Sequence, residues 1–234
     1  MQKAFFAETL ARRPALWNAM LRANAGTGGA DPAFAVPPGV EAGPLLRWLD
    51  ERPRTSLAPD LDQPPLGFWD FAEESRRLAL LDPPALGRLC RVTGVALHAP
   101  AIAAVLRRDE VLALRAELGK DLYRYALFRG RYELGGVRRF FAMAQEQAAG
   151  QGGLGRLCAW HGVMALRLVA ADWPEALVRR FDGMLPALPD PAQPEASEDA
   201  AEPALDRAER DELWRAVKKL LLKEVAPSWA PCFD

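Results

Sequence analysis

The chain has 234 residues, 50% hydrophobic and 26% charged, so it can bury a sizeable core without covalent staples. Its net charge of −1 supplies neither a global basic field for nucleic acid nor a polyacidic mass. Three widely spaced cysteines, Cys90, Cys158 and Cys232, argue against a disulfide framework and for a reducing compartment. Alanine, leucine and arginine dominate and β-branched residues are few, which favours helix.

Residues 2–23 read as one or two short helices, with Pro14 at a helix start and Leu16, Trp17, Met20 and Leu21 on one face. Glu8 interrupts the N-terminal apolar run before it reaches signal-peptide length, and no window approaches the ~18 uncharged apolar residues of a membrane span. Two loops rich in Gly and Pro, about 24–44 and 52–66, flank a short helical piece at Leu45–Leu49 that carries Trp48. Phe68–Asp82 reads as a helix, and Asp82-Pro83 then resets the chain as N-cap and first helical residue.

The central stretch, 86–134, holds the run Val92–Leu106 without a formal charge, and Ile102, Val105, Leu106 and Leu112 recur at helical spacing. Such a run belongs in the core. Gly94 and Pro100 predict a break into two short buried helices, with His98 at the break. A helix over Glu110–Leu118 stopped by Gly119, another from Asp121, and a further one over Val137–Ala149 follow. Leu154–Ala171 is strongly apolar, with Leu157, Trp160, Met164 and Leu168 as the expected buried face. Asp172-Trp-Pro starts a turn running to about Met184.

Residues 186–204 carry five prolines, five carboxylates and no aromatic residue, the composition of a disordered linker. Leu205–Val225 is the last helix, with Leu213, Trp214, Val217, Leu220 and Leu221 on one face and Arg215, Lys218, Lys219 and Lys223 on the other. The expectation is an all-α protein: one globular domain of about eight to ten helices over 1–185, the linker, and a C-terminal amphipathic helix and tail over 205–234 packed on that domain.

Chemistry-bearing patterns are sparse. Gly150–Gly155 satisfies G-x-G-x-x-G, but the preceding residues read as helix, whereas a dinucleotide site needs a strand there. Cys158 and His161 share a helix face and could contact a metal, yet zinc needs three or four ligands. His98 is a switch or interface candidate because its pKa lies near neutrality. The basic face at Lys218, Lys219 and Lys223 could meet nucleic acid or anionic lipid, but nine acidic residues between Asp190 and Glu212 precede it. The residues alone therefore indicate a binding or scaffold protein with no catalytic, cofactor-binding or metal site. A small nucleotide- or metal-binding helical enzyme using Gly150–Gly155, Cys158 and His161 is the alternative, followed by a nucleic-acid-binding regulator.

Gly94 with Leu97-His98 and then Ile102, followed by the ending Val225-Ala-Pro-Ser-Trp and Phe233, resembles the SctK family of type III secretion proteins (YscK and PscK, more distantly OrgA and MxiK). The likeness covers 86–134 and 205–234, and its motifs are apolar patterns and punctuation. It implies a non-enzymatic adaptor of the injectisome sorting platform, in the bacterial cytoplasm at the inner-membrane face. Such an adaptor joins the forkhead-associated-like cytoplasmic domain of SctD to the pod protein SctQ, and indirectly to SctL and the ATPase SctN. No nucleic acid is involved, and the membrane is reached only through partners. The resemblance gives Gly94, Leu97, His98 and Ile102 structural or switch roles, and makes Trp214, Lys218, Leu221, Trp229 and Phe233 candidate partner contacts.

Overall fold

The structure, a computed structural model, describes residues 2–24, 67–141, 153–187 and 205–233. The expected loops at 24–44 and 52–66, the piece at Leu45–Leu49, most of Gly150–Gly153 and nearly all of the linker lie outside them. Regular structure among the described residues is entirely helical. It comprises α1 (Gln2–Arg12), α2 (Pro14–Asn24), α3 (Pro83–Ala104), α4 (Arg108–Leu118), α5 (Lys120–Phe128), α6 (Leu154–Ala170), α7 (Glu175–Met184) and α8 (Arg207–Leu220), with short 3-10 turns between them. No described helix is long and apolar enough to cross a membrane.

The chain forms two compact units, and a cut at residue 186 does not separate them. The first unites the described parts of Met1–Leu81, Trp173–Phe181 and Ser228–Asp234; the second unites the described parts of Asp82–Asp172 and Asp182–Pro227.

In the first unit α1 and α2 pack an aromatic cluster in which Phe6 meets Trp17 and Trp69 edge-on. The predicted helix at Phe68 does not form. Residues 67–73 form no regular element, and only Glu74–Leu80 coils, as a 3-10 turn. The fully buried Asn24 accounts for this. Its Nδ2 donates to the Phe68 carbonyl at 3.0 Å and its Oδ1 accepts from the Phe68 N–H at 3.2 Å, so the backbone groups a helix would use are already engaged. Arg77, 2% exposed, fixes the other end. It donates to the carbonyls of Phe71 (3.1 Å), Cys232 (2.8 Å) and Ala72 (3.4 Å).

In the second unit α3 is the axis. Asp82 caps it through the Ala85 N–H at 2.6 Å, with Pro83 and Pro84 in its first turn. It runs unbroken for 22 residues through both Gly94 and Pro100, correcting the expected break. Pro100 has no N–H to give the Ala96 carbonyl. Arg138 fills that place: its Nη2 donates to Ala96 at 3.1 Å, and also to the carbonyls of Gly130 and Arg131, both at 2.9 Å. The helix ends at Ala104, so Leu106 and Leu112, expected on a buried face, are 88% and 54% exposed.

Around α3 pack α5, α6, α8 and the 3-10 turns at Gly130–Tyr132 and Val137–Phe141. Gly119, at φ 83, ends α4 as expected. α8 opens with a capping box between Asp206 and Glu209 and finishes in a π turn, Leu221–Val225, before Pro227.

Candidate functional site

The most tightly built place in the second unit is the crossing of α3 and α6. Each helix carries Cys-x-x-x-Gly: Cys90 to Gly94 on α3 and Cys158 to Gly162 on α6. The two motifs pack reciprocally. A Cβ on Gly94 would lie 1.7 Å from the Cys158 carbonyl oxygen, and one on Gly162 would lie 2.1 Å from that of Cys90. Two backbones can approach this closely only where neither has a side chain at the contact. The crossing therefore explains the glycine that the sequence suggested was a breaker.

One turn beyond Gly94, the chain's only two histidines meet. Nε2 of His98 and Nδ1 of His161 are 2.7 Å apart, so one ring donates its proton to the other. The rings stack at 4.8 Å between centroids, with Phe141 and Trp160 against His161. His98 is 0% and His161 1% exposed. Burial lowers both pKa values below the ordinary histidine range, and for His98 the neighbouring His161 and Arg138 lower it further. Both rings are thus neutral at physiological pH.

This arrangement can hold a helix pair in register; it has little capacity for group transfer. Burial raises the pKa of both thiols, Cys90 and Cys158, to about 12, which removes nucleophilic character. Among the described residues no three His, Cys, Asp or Glu side chains converge as metal ligands do. Cys158 and His161 do occupy neighbouring turns of α6, as the sequence suggested, but each is engaged in packing against α3. Gly94, Leu97, His98 and Ile102 are all buried on α3.

The C-terminal candidates separate into two groups. Leu221 is 0% and Phe233 1% exposed, so neither offers its side chain to a partner in this structure. Trp214, Lys218 and Trp229 are partly exposed. The basic face is partly used internally: Lys219 lies 3.0 Å from a carboxylate oxygen of Glu133, and Lys223 pairs with the other. Burial would raise the Glu133 pKa, but hydrogen bonds from Lys223 and Lys219 outweigh it and keep the carboxyl below its usual range. Arg129 pairs with Glu224 on the π turn at 3.0 Å. Sequence reading missed Glu133, Arg138 and Gly162. For Gly162 alone there was a signal, the Cys-x-x-x-Gly spacing present on both helices.

Compared with protein-family models, curated proteins and solved structures, the chain matches none of them.

Proposed function

We propose that the chain is a non-enzymatic adaptor of the type III secretion sorting platform. It would link the cytoplasmic domain of SctD to SctQ at the cytoplasmic face of the bacterial inner membrane, with SctL and SctN reached through SctQ. The observation that carries this reading is the placement of the residues on which the resemblance rests. Gly94 permits the α3–α6 contact, Leu97 and Ile102 fill the core beside it, and His98 pairs with His161. In this chain the residues that carry the resemblance hold a backbone crossing, and so a shape. An adaptor works by shape, holding two binding faces at a fixed separation with no covalent step.

The enzyme reading loses support for the same reason, since Cys158 and His161 are committed to packing. Mixing the full chain with the purified SctD cytoplasmic domain and SctQ, followed by size-exclusion chromatography, tests the proposal. A complex containing all three is the expected result. Absence of binding to either at tens of micromolar would overturn it, and a several-degree thermal stabilisation by a nucleotide would favour the enzyme instead.

A further inference from the structure

One edge of α2 borders a groove, with Ala19 buried at its base. Ala15, Asn18, Ala19 and Arg22, at i, i+3, i+4 and i+7, line a groove of about 380 Å³ whose opposite wall is Ser228 and Trp229. All of these residues belong to the first unit. The two alanines make a shallow apolar floor, and the half-buried Trp229 supplies an aromatic wall. Arg22 is exposed at its edge and makes no ion pair with any described residue.

We propose that this groove receives a segment of a protein partner that presents a carboxylate beside an apolar side chain. Charge decides the first half of that description. Arg22, the one cation in the groove lining, has no acidic partner among the described residues. A carboxylate docking there gains a charge-assisted, bidentate partner. The volume decides the second half. A space of this size, walled by an indole and two alanines, fits a few side chains, at the lower end of ligand pockets. A lipid surface would need a broad basic and apolar stripe, whereas a single unpaired guanidinium borders this groove.

The inference rests on the adaptor reading, and the test separates the two. The full chain, with variants Arg22→Glu, Arg22→Lys, Trp229→Ala and the second-unit control Lys120→Glu, is titrated calorimetrically against the SctD cytoplasmic domain and against SctQ. Circular dichroism verifies that each variant is folded. The expected result is a loss of at least tenfold in affinity for one partner with Arg22→Glu, and a similar loss with Trp229→Ala. Arg22→Lys should retain most of the binding, Lys120→Glu all of it, and the second partner should be unaffected. Wild-type affinity of Arg22→Glu for both partners would overturn the groove and leave the adaptor standing. Equal loss against both would also overturn it, because a groove of this size takes one segment. Failure of the wild-type chain to bind either partner would overturn both proposals.

Discussion

Substituting Gly94 by Ala tests the backbone crossing most directly. The added methyl would sit 1.7 Å from the Cys158 oxygen and 2.6 Å from its carbonyl carbon, and both are main-chain atoms with no rotamer to move. To restore an ordinary contact the helices must part by more than about 1 Å, and gaps of 0.5–1 Å already forfeit about a quarter to a half of each dispersion contact. Overpacking of this kind destabilises by about 1–3 kcal/mol, and by more where backbone must yield. Against it stands a gain of about 1 kcal/mol from replacing a helical glycine with alanine. With the clash at the upper end of that range, a net loss of about 2 kcal/mol is expected, and Gly162→Ala should behave alike, since its methyl would lie 2.1 Å from the Cys90 oxygen. Gly183 on α7 is the control, because nothing lies within 4 Å of its Cβ position. There the same substitution should stabilise by up to about 1 kcal/mol. Urea midpoints followed by circular dichroism would read these differences. The Gly94→Ala, Gly162→Ala pair should lose less than the two singles together, since helices already parted admit the second methyl at little further loss. If Gly94→Ala stays within about 0.5 kcal/mol of the parent chain, or if Gly183→Ala is equally harmful, the crossing is not what holds the second unit.

Three further outcomes follow from named contacts. His98 and His161 have lowered pKa values in the folded chain, so below about pH 6.5 the unfolded chain takes up protons that the folded chain refuses; stability should fall with pH, by up to about 1.4 kcal/mol per unit for each ring, and a pH 5–7 series of urea midpoints with no such slope would refute the neutral pair. Arg138→Met strands the Ala96 carbonyl and should destabilise by about 2 kcal/mol, and in a Pro100→Ala background, where residue 100 regains its N–H, the loss should shrink by roughly 1 kcal/mol; additive effects in this double-mutant cycle would disprove the substitution of one donor for another. Arg77→Met leaves three carbonyls without their donor and should destabilise by about 3 kcal/mol or more, while Arg77→Lys recovers only part of that; thermal melts in which the two variants match would rule out the multi-carbonyl role.

What could be read from the chain was its local punctuation. Asp82-Pro83 starts α3 and Gly119 ends α4 because capping and φ preferences act within a few residues. What could not be read depended on distant partners. Gly94 and Pro100 look like breakers in isolation. They are tolerated because Gly162 and Cys158 lie across from one and Arg138 supplies the other's missing donor. The Phe68 segment has helical periodicity, yet Asn24, 44 residues away, engages the backbone N–H and carbonyl of Phe68. The histidine pair joins positions 63 residues apart, and each ring alone looked like a separate candidate. Leu221 and Phe233 looked like contact residues because an amphipathic helix and an aromatic ending resemble a free face until the core they fill is seen.

The interleaving of the two units imposes an order of assembly. Residues of the first unit come from three stretches, and the whole of the second unit is synthesised before the last of them emerges. The Cys232 carbonyl that receives Arg77 is therefore added to the chain 155 residues after the arginine. Until then the Arg77 guanidinium has one of its three carbonyl acceptors missing, and a chain shortened before Ser228 would never gain it.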